Sequence, residues 1–244
     1  MAPETAYVID FDGTVTTKDI TTELGLYFGG TKFIEIDRSY QAKEIPIRGW
    51  LQAEVTLLPV DLEKLKSKAF EWAQIRPGFK SFLQKAHAGN NLVIIASDGL
   101  GFYIEPILEH FGLRGEVDLI YRNDTFINKQ GLLEILNPHA HPTCVVCGNC
   151  KARVVVQQKA AGRPVIYIGD GSNDRFGASW ADLIFAREDL AHSCEKHNLA
   201  YSPWEDFYDI INVAEPKLTD REAGSLCLPL GAGVNSNQHG GVRR

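Results

Sequence analysis

The stretch "YVIDFDGTVTTKD", Tyr7–Asp19, decides how the rest of the chain is read. Tyr7, Val8 and Ile9 suit the interior of a sheet, and the run then ends on Asp10 and Asp12 with Gly13 and Thr14 straight after. Side chains two apart on a strand point the same way, so both carboxylates would face one place. Two like charges this close repel each other, and a cation between them relieves the repulsion. A single Asp at a strand end is as commonly the cap of a turn or helix, so this pair needs support from elsewhere in the chain.

Two further runs supply it. "LVIIASDG", Leu92–Gly99, and "PVIYIGDGSND", Pro164–Asp174, are also apolar stretches that stop abruptly in polar residues. Runs apolar on both faces fit central strands of a parallel sheet. Helical spacing lies around them: Phe79, Phe82, Leu83 and Ala86 share one face, as do Ile104, Ile107, Leu108 and Phe111. Alternating strands and helices predict an α/β fold, a Rossmann-like parallel sheet with helices on both faces. Ligands of such sheets sit outside the carboxyl ends of the strands, which would bring Asp10, Asp12, Ser97, Asp170 and Asp174 to one crevice.

Residues 18–74 break this rhythm. "LEKLKSKAFEWA" is an amphipathic helix preceded by shorter helical patterns, and the region is expected to be a small mobile helical cap inserted after the first strand. The core would then comprise residues 1–17 and 75–214. Residues 215–244, rich in Gly and Asn, are expected to form a flexible tail. "DTFINKQGLLEI" suggests a hairpin bending near Gly131, and "NPHAHPTCVVCGNC" a loop.

Net charge is −6 over 244 residues, which argues against an extended nucleic-acid surface. The sequence contains neither an apolar run of about 20 residues nor a basic-then-apolar leader, so no membrane partner is expected. Five cysteines do not make a secreted disulfide framework, and a reducing cytoplasm is the expected location. Cys144, Cys147 and Cys150, with His139 or His141, have some zinc-like spacing; buried thiols or a labile disulfide are the other readings. Oligomeric state is not readable.

Asp170 and Asp174 add oxygen ligands of the kind Mg²⁺ prefers. Gly13, Gly169 and Gly171 let the backbone turn tightly beside them. Ser97 can donate to a phosphate oxygen. Lys151 opens the expected helix "KARVVVQQKAA" and is the best candidate for a cation opposite the metal.

The order of "DFDGTVT", "IIASDG", Lys151 and "GDGSND" resembles the haloacid dehalogenase-like phosphatase superfamily. The resemblance implies that Asp10 is the nucleophile, forming an aspartyl-phosphate, and that Asp12 is the general acid/base. It implies that Ser97 and Lys151 hold the phosphoryl oxygens, with Thr14 and Asp98 beside them. It also implies that Asp10, Asp12 through its backbone carbonyl, and Asp170 bind Mg²⁺, with Asp174 in support. The substrate would be a small phosphomonoester. The helical insertion resembles the cap of the phosphoserine phosphatase-like branch. "SDGLGFYIEPIL", "CGNCKARVV", "GDGSNDRFGASWADLIFARE" and "WEDFYDI" look most like its methionine-salvage phosphatases, which hydrolyse 2-hydroxy-3-keto-5-methylthiopentenyl-1-phosphate.

One departure stands out. The branch favours Gly after the motif Ser, whereas this chain has Asp98. A carboxylate there would contact a cationic or hydroxylated substrate, or cap the helix starting near Gly101. Asp98 therefore keeps phosphocholine and phosphoethanolamine as alternative substrates, and the branch resemblance keeps phosphoserine. Asp19, Asn173 and the cap aromatics Tyr27, Phe28 and Phe33 are the other candidates for substrate choice; Asp19 could equally be a helix N-cap, and at least two of the three aromatics are expected to pack within the cap instead. A catalytically inactive binding module on the same fold would lack one of Asp10, Asp12, Lys151 or Asp170, and none is lacking.

Overall fold

The computed structural model describes residues 5–213 and residue 226. The expected tail at 215–244 thus lies almost wholly outside the described residues. The strands are β1 (Ala6–Ile9), β2 (Leu92–Leu100), β3 (Leu119–Ile127), β4 (Leu133–Leu136), β5 (Val165–Gly169), β6 (Leu183–Ala186) and β7 (Ser202–Pro203). They form one sheet in the order β4-β3-β2-β1-β5-β6-β7. Every pairing is parallel except β3 with β4, the hairpin expected around Gly131.

The helices are α1 (Ile20–Gly29), α2 (Thr31–Gln41), α3 (Ile47–Val55), α4 (Leu62–Trp72), α5 (Phe79–Ala88), α6 (Gly101–His110), α7 (Lys151–Ala160), α8 (Arg175–Ala178), α9 (Glu188–Lys196) and α10 (Phe207–Asn212). None of the described helices is long and apolar enough to cross a membrane.

Strand β1 lies at the centre, flanked by β2 and β5, with Ile9 opposite both Ile95 and Ile168. The two flanking strands lie on opposite sides of it, so the crevice of a doubly wound sheet opens at its carboxyl end. Alternation sends Ile9, Ile95 and Ile168 into a cluster with Phe79, Leu83, Ile104 and Phe207. Ala6, Val8 and Ile94 enter a second cluster with Val154, Val155, Leu190 and Cys194. Both faces of the sheet are therefore covered by helices, which is why its central strands read as unbroken apolar runs. Phe111 departs from its expected place: α6 ends at His110, and Phe111 is exposed beyond it.

Strand β2 does not end at the polarity change that follows Ile95 but continues to Leu100. Pairing with β3 passes from Ala96 opposite Tyr121 to Leu100 opposite Asn123. The extra residues bulge out of the ladder, and this irregularity carries Ser97 and Asp98 towards the crevice.

Between Ile20 and Trp72 the chain is four helices. Asp19 caps α1 by accepting from Thr22 N at 2.8 Å, and Asp61 caps α4 by accepting from Lys64 N at 3.1 Å. Ile20, Leu24, Val55, Leu65 and Ala69 belong to the same apolar cluster as Ile9. Where the chain leaves and re-enters the sheet layer, Thr16 bridges Ile75, and Arg76 donates to Thr14 O at 2.8 Å and Glu205 O at 3.2 Å.

Candidate active site

The residues expected to converge line one cleft of about 280 Å³ at the carboxyl end of β1. It includes Asp10, Asp12, Ser97, Asp98, Lys151, Asp170, Asn173 and Asp174 from the sheet side. Asp19, Tyr40, Ile47, Trp50 and Leu51 line it from the helical insertion.

Lys151, the first residue of α7, is buried. Its ammonium stands 2.8 Å from Asp10 Oδ1 and 2.7 Å from Asp174 Oδ1. Asp174 is saturated on every side. Its Oδ1 also accepts from the Tyr167 hydroxyl at 2.7 Å, and its Oδ2 accepts from Asp170 N at 3.1 Å and Gly171 N at 2.9 Å. It therefore organises the turn after β5 and braces Lys151.

Oxygen atoms of Asp10, Asp170 and Asp174 lie within 4.8 Å of one another, the one such acidic, His or Cys group among the described residues. Burial and the neighbouring carboxylates raise Asp10 well above the ordinary range, against the pull of Lys151. Burial and Asp174 push Asp170 up to about 7. Three crowded carboxylates answered by one ammonium have the composition of a hard-cation site, since oxygen-only donors suit Mg²⁺. The residues present thus fit that ion.

Asp12 stands apart from this triad, so its carboxylate is not one of the clustered acids. Its Oδ2 accepts from the Tyr103 hydroxyl at 2.6 Å and its Oδ1 from Ile20 N at 3.0 Å. Burial, then repulsion from Asp19, pushes its pKa up to about 8, although the Tyr103 hydrogen bond opposes the shift. The pair of aspartates read together in sequence is therefore split, one towards the cation cluster and one towards a proton donor. A glycine at 99 is required here: a Cβ would lie 2.2 Å from the Tyr103 hydroxyl and 2.4 Å from Asp12 Oδ2.

Thr14, expected on the phosphate, is fully buried and donates to Asp170 Oδ1 instead. Gly13 has φ of 77°, and a Cβ on it would lie 2.2 Å from Asp170 Oδ2. The loop after β1 thus shapes the Asp170 carboxylate rather than the anion. Ser97 lines the cleft, its Oγ accepting from Gly99 N at 2.9 Å.

Asp98 does not cap α6, whose N-cap is Leu100 without a side-chain bond, and its Oδ2 is buried with no hydrogen-bond partner among the described residues. Its Oδ1 accepts from Asn149 N at 2.8 Å. The cap aromatics are also reassigned. Tyr27 packs on Phe28, Trp72 and Lys68, while Phe33 is buried against Trp50. None of the three lines the cleft, whose aromatic wall is Tyr40 and Trp50. The Tyr40 hydroxyl lies 3.1 Å from Ser172 Oγ, joining α2 to the loop after β5. Cys144, Cys147 and Cys150 are buried thiols, and among the described residues they are not part of a group of three His, Cys, Asp or Glu ligand atoms within 4.8 Å of one another.

Tyr103, Tyr167, Arg76, Asn149, Tyr40 and Trp50 escaped sequence reasoning. The aromatic residues read as ordinary core at helical or strand spacing. Only Asn149, two before Lys151 in a motif-like turn, carried a local signal.

Comparison with known proteins agrees with this geometry. The haloacid dehalogenase-like hydrolase family matches residues 7–178. A 2-hydroxy-3-keto-5-methylthiopentenyl-1-phosphate phosphatase of Bacillus cereus is 30% identical over 83% of this chain and 92% of its own length. One from Exiguobacterium sibiricum is 33% identical over 83% of this chain and 93% of its own. Among solved structures, a phosphoserine phosphatase with a phospho-aspartyl intermediate analogue superposes with a TM-score of 0.68 at 19% identity, covering 87% of this chain and all of that one. With a strand ending on Asp10, a buried lysine and a carboxylate cluster in one cleft, and a family match across most of the sheet, the chain belongs to the haloacid dehalogenase-like hydrolases, as a phosphatase.

Proposed function

We propose that the chain is a Mg²⁺-dependent phosphomonoesterase of the cytoplasm that acts through an aspartyl-phosphate, with 2-hydroxy-3-keto-5-methylthiopentenyl-1-phosphate as its substrate. The observation that carries the chemistry is the division of labour between Asp10, beside Lys151, and Asp12, hydrogen-bonded to Tyr103. An Asp10 oxygen attacks phosphorus and the bond to the ester oxygen breaks, while Asp12 gives that oxygen its proton. Asp12 then takes a proton from water, whose oxygen attacks phosphorus, releasing phosphate and restoring Asp10. A pKa pushed up to about 8 suits a group that must be protonated at neutral pH and then accept a proton. Ser97 and Lys151 hold the phosphoryl oxygens. Mg²⁺ would be held by Asp10, Asp170 and the Asp12 carbonyl, and when bound it supplies charge neutralisation to the phosphoryl group.

For the organic half, the names of relatives at 30% and 33% identity support the enol-phosphate. The wall of Tyr40, Ile47, Trp50 and Leu51 suits an apolar methylthio end. Among the described residues lining the cleft, Lys151 is the sole Lys or Arg, against the further acids Asp19, Asp37, Glu188 and Asp189. A substrate carboxylate would be repelled there, which disfavours phosphoserine. The same acids beside Tyr40 and Trp50 favour an amino-alcohol phosphate as the second reading. The test is kcat/KM with Mg²⁺ for the enol-phosphate, phosphocholine, phosphoethanolamine and phosphoserine. Highest efficiency on the enol-phosphate is expected. Preference for phosphocholine or phosphoethanolamine would install the second reading, and preference for phosphoserine would overturn the charge argument.

A further inference from the structure

We propose that Asp98 is a positioning residue: with Arg48, it clamps the turn that delivers Lys151 to the phosphoryl group. This rests on the phosphatase reading above. Two sides of the 144–150 turn are tied. On the sheet side, Asp98 Oδ1 accepts from Asn149 N at 2.8 Å. The Asn149 amide donates to Ser97 O at 3.0 Å and to Tyr121 O at 2.7 Å, and Asn123 Nδ2 donates to Asp98 O at 2.6 Å. Asn149 is fully buried, so these bonds have no water to replace them.

On the side of the helical insertion, Arg48 of α3 donates from Nε to Cys147 O at 2.8 Å and from its terminal nitrogen to Cys144 O at 2.8 Å. Its backbone N–H also donates to Val146 O at 2.9 Å. The turn is thus strung between the insertion and the strand that bears Ser97. It ends two residues after Asn149, on Lys151, whose ammonium must sit between Asp10 and Asp174. A carboxylate at 98 supplies the acceptor that a glycine there would lack. The turn therefore gives the departure from the branch pattern a role within this chain's own fold.

The experiment compares wild type, Asp98→Ala, Asp98→Asn and Arg48→Met. It measures Mg²⁺-dependent turnover of p-nitrophenyl phosphate, and calorimetric binding of inorganic phosphate. Asp98→Ala strands the Asn149 N–H and should lower kcat about tenfold and weaken phosphate binding by a similar factor. Asp98→Asn keeps the acceptor and should stay within about threefold of wild type in both. Arg48→Met should move both in the same direction as Asp98→Ala. Wild-type phosphate affinity in a folded Asp98→Ala, or an Asp98→Asn no better than Asp98→Ala, overturns the proposal. If Asp98→Ala does not fold, unchanged phosphate affinity in Arg48→Met overturns it. A wild type that binds phosphate without hydrolysing the ester would instead refute the phosphatase reading, and the binding comparison still decides the role of the clamp.

Discussion

Glu54 offers the sharpest physical test of the helical insertion. It is fully buried on α3, and neither carboxylate oxygen has a hydrogen-bond partner. Burial, then repulsion from Asp19, Asp12 and Asp37, raises its pKa well above the ordinary 4.5. The folded protein therefore holds a proton that the unfolded chain releases. The stabilisation linked to that proton is fully present below the unfolded value and is lost as pH rises through the folded one. Between the two values the folded state binds one proton more, so each pH unit costs about 1.4 kcal/mol of stability. Glu54→Gln removes that proton from the balance, whatever fixed cost its buried amide adds. Urea unfolding of both proteins at pH 5, 5.5 and 6, with a chelator present, reads the slopes. The variant's stability should fall less steeply with pH, by about 1.4 kcal/mol per unit. Parallel slopes would mean that Glu54 is ionised in the folded protein, and the reasoning from its unpartnered burial would be wrong.

Two further outcomes follow from the site. Gly13→Ala puts a Cβ against Asp170 Oδ2 at a backbone φ of 77°, and should weaken Mg²⁺ activation of turnover at least tenfold while costing about 1 kcal/mol or more in stability; an unchanged Mg²⁺ dependence would refute the role of the loop in shaping Asp170. Tyr103→Phe removes the phenol donor on Asp12 Oδ2 and should slow hydrolysis of an alkyl phosphate about tenfold, with a smaller effect on an aryl phosphate whose leaving group departs without a proton; equal losses on both esters would separate Tyr103 from proton transfer.

The sequence by itself determined the parallel sheet and the place of its crevice. β1, β2 and β5 are buried on both faces, so their apolar runs are continuous, and the runs that stop on Asp10 and before Asp170 mark strand ends, whereas β2 passes the polarity change at Ser97 through a bulge and ends at Leu100. Lys151 was legible for a related reason, because it opens a helix directly after a loop. The periodicity of Leu62–Trp72 likewise marked a helix outside the sheet rhythm. Tertiary structure alone decided what the side chains do there. Asp10 and Asp12 are chemically the same residue, and only Lys151 on one side and Tyr103 on the other make them different. Thr14 read as a phosphate ligand until Asp170, 156 residues away, took its hydroxyl. Asp98 read as a substrate contact or a cap of the helix near Gly101 until the Asn149 N–H took its Oδ1. The cleft wall fell to Tyr40 and Trp50 rather than to Tyr27, Phe28 and Phe33 because helical spacing identifies an apolar face but not what that face meets. Local pattern encodes burial and period; hydrogen-bond partners distant in sequence are fixed only when the chain packs.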